Sequence, residues 1–533
     1  MKKVKRIVVM FLTLALAMTS VACGKKTGEE TKNDNKTLNV RVYKAGWGDE
    51  YVRAFAAAFE QIYAEEGYKI NIVSSDSTIQ GSVVTTELLL CENNGIDLYF
   101  SGGVGVDDLV SISESKKVDM VAADLTDVYN SKPIKSDGTE ESQTVLEKMR
   151  EGTEVYYKYN GDLEKYNGKY YTFGYMSSPH GFMVNKELLS SYGLEVPKTT
   201  DELAVAFDTI EAKSEASGVH PTVWAGYNAY TYWYAAEDVW AAQYDGVEAY
   251  HNFLDMNYPE NPAEGWRVYE SQGWRESLNV FAKFVDLNYA PEKTISMDHM
   301  TAQHNFLTGK AVFMVNGAWL QNEMSANYLE QAKKISMIKT PVISSLGQKI
   351  GLANDEVLSQ IIGLVDEGKT VDEIVSSVNG VTAEQVQAVK DARNIYYQGE
   401  GGGIIVNAYS PKVDIAKLFL RFIASDDAAK LMYEYASAVS SYKATEDIGY
   451  QNADSEFLKS TYEIANSEEG ISICREWGGM RKELNLINWT NTNVELEKIL
   501  ASAKGKLTGT QVMDQELEYM KTTWTERYAE YNK

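Results

Sequence analysis

Cysteine is nearly absent from this chain, with Cys23, Cys91 and Cys474 the three examples in 533 residues. A secreted disulfide scaffold carries many more, so the fold must stand on its own apolar core. Histidine is almost as scarce, and the nearest pair, His299 and His304, is spaced wrongly for one helix face. No metal centre is expected from such a scatter. Positive charge is outnumbered, 51 Lys and Arg against 76 Asp and Glu, for a net formal charge of −25. That field repels phosphate backbones, which excludes nucleic acid as a partner and disfavours strongly anionic solutes.

Catalytic signatures are missing as well. No G-x-S-x-G, H-E-x-x-H or C-x-x-C occurs. Gly363 to Thr370 (GLVDEGKT) fits the spacing of a phosphate-binding loop, but Asp366 and Glu367 put two negative charges where phosphates would sit. It reads instead as a segment ending in a helix cap at Thr370. Ser101-Gly102-Gly103-Val104-Gly105 lacks the third glycine of a dinucleotide fingerprint, and Asp107-Asp108 would oppose a pyrophosphate. No cofactor is expected.

Met1 to Ala22 reads as a bacterial secretory signal: Lys2, Lys3, Lys5 and Arg6, then an apolar run from Ile7, then small residues up to Cys23. The run is shorter than the ~20 residues that span a bilayer, and no other stretch approaches that length. Thr19-Ser20-Val21-Ala22-Cys23-Gly24 resembles a lipobox, with Ser20 where leucine is commoner, and makes Cys23 the expected lipidated N-terminus. Residues 23–38 then form a polar tether, free of large apolar residues up to Lys36.

Beyond the tether, Thr37 to Tyr43 alternates as a strand, and Asp49 to Glu65 carries Val52, Phe55, Phe59 and Tyr63 at helical spacing. A strand over Tyr68 to Val73, a helix from Gly81 and a strand over Ile96 to Phe100 complete a pattern typical of a parallel α/β sheet. Ligands of such sheets sit at the carboxyl ends of the strands, here near Trp47, Asp76 and Ser101. Further strands are expected at Ala311 to Val315 and Ile404 to Ala408. Residues 346–393 look like a helical insertion, with capping boxes at Thr370–Glu373 and Thr382–Gln385.

Four stretches, in order, resemble the bacterial extracellular solute-binding protein family 1, the maltose-binding-protein-like group. They are Ile96 to Phe100 (IDLYF), Tyr170 to Leu203 (YYTFGYMSSPHGFMVNKELLSSYGLEVPKTTDEL), Phe306 to Leu320 (FLTGKAVFMVNGAWL) and Ile404 to Leu431. The resemblance implies an α/β, two-lobed periplasmic-binding-protein-like fold of type II, with a hinge and a helical insertion. It implies one lobe from 39–179 plus 402–442 and another from 180–397 plus 443–533, the insertion 346–393 lying within the second. The implied activity is capture of a sugar or oligosaccharide for the permease subunits of an ABC importer. The chain would be a monomer without catalysis of its own, held at the membrane by its lipid anchor. A carbohydrate-active hydrolase, or a sensing or adhesion protein on the same scaffold, is the alternative.

Sugar recognition uses flat aromatic faces against C–H surfaces and polar groups against hydroxyls. The chain has 35 Tyr and 10 Trp against 15 Phe, a bias toward rings with polar handles. Trp319, after a strand in an NGAW turn, matches a sugar-stacking tryptophan of the resembled family. Trp47 stands beside two glycines at the first strand's end. Asp76 and Ser101 end two more strands, and Tyr175 and His180 flank a crossover. Trp224 and Tyr227 precede the aromatic run over 230–244, whose helical spacing marks much of it as core. Gly403 and Trp477 complete the candidate set.

Overall fold

The computed structural model describes residues 35–77, 79, 81–150, 153–161, 163–227, 232–400, 403–446, 448–450, 453–475, 478–486 and 507–532. Cys23, the expected signal and Trp477 lie outside these residues. Residues 37–533 form one compact unit.

Strand β1 (Thr37–Tyr43) inserts Leu38, Val40 and Val42 into the core and turns its alternate residues outward, as its period-two pattern requires. The helix Glu50–Ile62 packs Val52, Phe55 and Phe59 beneath it. β1 pairs in parallel with β2 (Lys69–Asp76) on one side and with β3 (Leu98–Ser101) on the other. A two-residue strand, β4 (Phe173–Gly174), ends this first passage.

The chain then changes sheet. β5 (Met176–Val184) is buried along its whole length and pairs antiparallel with four strands of a second sheet. It is continuous across Pro179, where the sequence suggested a lobe boundary. The second sheet also takes β6 (His220–Thr222), β7 (Ala311–Gly317), β8 (Ser336–Ile338) and β9 (Ile395–Glu400). β7 is buried throughout, which explains its unbroken apolar run.

The return is immediate. β10 (Gly403–Val406) runs antiparallel between β3 and β4, giving the first sheet the order β2-β1-β3-β10-β4. A third crossing brings β11 (Val439–Ser440) onto β5, and β12 (Ile471–Ile473) closes the far edge of the second sheet beside β9. Buried Arg150 ties the third crossing down, its Nη2 donating to the Ser440 carbonyl at 2.9 Å and to Asn466 Oδ1 at 2.8 Å.

Residues 346–393 are helical, as their caps predict: Ser345–Lys349, Asp355–Asp366, Val371–Ser377 and Ala383–Asn394. Thr370 and Thr382 each accept from the backbone N–H three residues on, and Glu373 and Gln385 reciprocate. Gly363 to Asp366 belong to a helix rather than a phosphate loop. Cys91 and Cys474 form no disulfide.

Candidate functional site

Three neighbouring strands of the second sheet meet at one place. In the ladder His180 of β5 stands between Gly317 of β7 and Tyr397 of β9. The His180 ring stacks on Tyr397, with centroids 5.3 Å apart and planes 13° from parallel. Its other neighbours are Trp319 at 4.7 Å, edge on, and Tyr232 and Tyr234 at about the same outer distance, 6.0 and 6.1 Å. Trp319 also meets Tyr232 at 5.1 Å and, from the first-sheet side, Trp47 at 6.2 Å with the planes at 87°. Edge-to-face and offset pairs of this kind are the favoured geometry of aromatic rings. The result is a cluster of six rings: His180 and Tyr397 on strands of the second sheet, Trp319 just after β7, Tyr232 and Tyr234 at the start of the helix Tyr234–Asp245, and Trp47 in the turn after β1.

Two glycines make room for it. A Cβ on Gly317 would fall 2.1 Å from the Trp319 ring, and a Cβ on Gly399 would fall 2.1 Å from His180 Cε1. Any side chain there would push a ring out of the cluster. Trp47, His180 and Tyr397 are buried, while Tyr232, Tyr234 and Trp319 keep part of their surface open. The open rings are two tyrosines and a tryptophan, so each offers an apolar face with a polar handle.

Burial drives the His180 pKa down to about 3, leaving a neutral imidazole. Its Nδ1 lies 3.5 Å from the Tyr234 hydroxyl, and its Nε2 has no partner among the described residues. Behind the rings, Arg475 donates from Nε to both Asp238 oxygens at 3.0 and 3.1 Å, and its Nη2 is 3.3 Å from Glu237. Burial opposes the Arg475 charge, but Asp238 and Glu237 outweigh it and hold the guanidinium protonated. The Arg475 backbone N–H donates to the Tyr397 hydroxyl at 3.2 Å, and its guanidinium lies over the Tyr234 ring. This buried pair fixes the back of the aromatic wall.

At the carboxyl end of β3 the first sheet is small and polar. Ser101 ends β3 fully buried, its Oγ without a partner among the described residues, and pairs with Gly403 of β10. Asp76 ends β2 with an exposed side chain, and its carbonyl accepts from the Lys44 N–H. Trp47, His180 and Trp319 of the sequence candidates thus share the ring cluster, and Ser101 and Gly403 adjoin each other across the ladder. Others do not join them. Tyr175 is enclosed in the first-sheet core, stacked on Tyr51 and edge on to Phe100. Trp224 is buried after β6, its backbone exchanging hydrogen bonds with Thr294 Oγ1, and shares no ring contact with the cluster. Tyr227 is exposed, its N–H donating to Met297.

Tyr232, Tyr234 and Tyr397 were not among the sequence candidates. The first two sit inside an aromatic run whose periodicity points to core, which holds for the buried Trp233 and Trp240. Tyr397 could have been flagged by its place on a strand just before the glycine-rich crossing at 399–403.

The family profile of the bacterial extracellular solute-binding proteins matches residues 54–456. The chain belongs to that family. Among relatives of this solute-binding protein, the melibiose/raffinose/stachyose-binding protein MelE of Bacillus subtilis (strain 168) is 22% identical over 345 residues, covering 64% of this chain and 68% of MelE. Apo RafE from Streptococcus pneumoniae shares the fold at 13% identity and a TM-score of 0.55, covering 92% of this chain and 97% of that one. A chitin oligosaccharide binding protein does so at 14% identity and a TM-score of 0.53, covering 92% and 99%. The architecture is the type II arrangement of these receptors, and the family is one of binding proteins. Among the described residues no helix is long and apolar enough to cross a membrane.

Proposed function

We propose that this solute-binding protein captures a sugar or oligosaccharide at the seam between its two sheets and hands it to the permease of an ABC importer. The observation that carries the reading is the ring cluster of Trp47, His180, Tyr232, Tyr234, Trp319 and Tyr397 close to the crossings where the chain changes sheet. Partly open aromatic faces suit the C–H surfaces of pyranose rings, and the unpaired Ser101 hydroxyl suits a sugar hydroxyl. MelE is named for melibiose, raffinose and stachyose, and RafE has been solved with raffinose, so these are the first solutes to try.

In this reading the two lobes hinge at the three sheet crossings, near 174–176, 400–403 and 436–441, and close over the solute. The chain is not an enzyme and works as a monomer. Cys23 is its lipid anchor after removal of residues 1–22, holding it on the extracellular face of the membrane beside the permease.

The test is a thermal-shift and calorimetric screen of the purified protein against mono- and oligosaccharides, those three included. A true ligand at 100 times its Kd raises stability by about 2.7 kcal/mol. The sugar must be recovered intact after prolonged incubation. No shift with any saccharide, or cleavage of the sugar, would refute the proposal.

A further inference from the structure

The segment 319–323 follows β7 and so belongs to the second sheet, yet three of its residues reach across to the other half. Trp319 meets Trp47 edge on. The Gln321 amide donates to Ser437 Oγ at 3.2 Å. Asn322 Nδ2 donates to the Gly46 carbonyl at 2.7 Å. Each is a direct contact of protein with protein. Glu323 stands against Gly46 so closely that a Cβ built there would lie 3.5 Å from Glu323 Cβ. Glu323 is pinned to its own half by fully buried Gln303, whose Nε2 donates to its Oε2 at 2.7 Å.

We propose that Asn322 sets solute affinity without touching the solute, by latching its half to Gly46 at the rim of the seam. The inference rests on the reading that the halves open and close around a ligand. An opening motion breaks the Asn322–Gly46 bond whether or not a solute is present, so the bond biases the open–closed equilibrium itself. In a receptor that is mostly open when empty, apparent affinity scales with the fraction in the closed, binding-competent state. A partly buried amide–carbonyl bond is worth roughly fivefold in such an equilibrium. A side chain that met the solute would act differently, weakening some sugars more than others.

Two experiments separate these outcomes. In the Gly46→Cys/Glu323→Cys protein, the 3.5 Å Cβ separation meets the geometry of a disulfide. Under mild oxidation without solute, the bond should form at a rate that follows the closed fraction. Adding Asn322→Ala should slow it roughly fivefold. An unchanged rate, or no disulfide within hours, overturns the latch. This measurement needs no sugar, so failure to find a solute would sink the proposed function while leaving the latch tested. In the second experiment, Asn322→Ala should raise Kd by one common factor, roughly fivefold, for two sugars of different length. Unequal factors would make Asn322 a solute contact and overturn the proposal, as would no change. Should Asn322→Ala fold poorly, Asn322→Leu keeps the volume, lacks the donor, and must give the same result.

Discussion

The two sheets carry opposite materials near the crossings between them. On the second-sheet side, His180, Trp319 and Tyr397 are locked ring against ring, with Tyr232 and Tyr234 packed on them. On the first-sheet side stand Ser101 and Gly403, with Trp47 the one ring reaching over. The difference separates two tasks. A wall of interlocked rings is assembled within one half, so its ordering entropy is already met when a solute arrives. In the proposed closure, the small, polar end of the first sheet would bring backbone and hydroxyl groups close.

The strongest way to break this comparison is to remove the central ring. Trp319→Ala should cost about 2–4 kcal/mol of solute affinity, roughly 30- to 1000-fold in Kd. Because Trp319 keeps part of its surface open, the melting temperature of the ligand-free protein should fall little. A collapsed melt with unchanged affinity would make the residue structural.

The glycines offer a matched pair. Gly399→Ala drives a methyl into His180 at 2.1 Å and should cost about 1–3 kcal/mol, read as a lower melting temperature together with weaker binding. Gly403→Ala meets Thr172 Cβ at 3.1 Å, a contact that a small shift relieves, and should cost less. Equal losses would mean that the two edges are equally crowded.

The buried imidazole sets a pH signature. His180 titrates near 6.5 when unfolded and is held down to about 3 by burial in the fold. Above pH 6.5 it is neutral in both states and contributes nothing to pH dependence. Between these values the unfolded chain takes up a proton that the folded chain refuses. Stability therefore falls with falling pH by about 1.4 kcal/mol per unit from this group. Urea unfolding at pH 7 and pH 5 should show wild type losing about 2 kcal/mol more than His180→Phe. Parallel losses would show that the ring is not held neutral.

The smallest effect belongs to the polar edge. Ser101→Ala removes a buried, unpartnered hydroxyl, so the ligand-free melt should hold or rise slightly. Affinity should fall by about 1 kcal/mol if that hydroxyl bonds the solute, read by calorimetry. Unchanged affinity would leave solute recognition to the rings alone.

Local signals carried much of the fold. β1 matches its alternation from Thr37 to Tyr43, and the two capping boxes of the insertion sit where Thr370 and Thr382 announce them. The place of Trp47 and Trp319, each following a strand beside glycine, was legible in the sequence. Tyr397 was not, because its place beside His180 depends on the β5–β9 ladder between segments more than 200 residues apart. Composition and periodicity do not encode that pairing. Tyr175 shows the converse limit. It lies one residue after β4, yet stacking on Tyr51 turns it into the core, and a position at a crossing does not reveal which way a ring faces. The latch residues were invisible for the same reason, since Asn322 meets Gly46 through the tertiary fold alone.

The central claim is that one solute is gripped by both halves at the seam. Hydrogen–deuterium exchange with and without the best sugar from the screen tests it most directly. The account predicts slower exchange in segments from both sides, around 45–48 and 101–103 in the first half and around 177–181, 316–323 and 396–400 in the second. Slowing confined to one half, or centred on the insertion at 346–393, would contradict it.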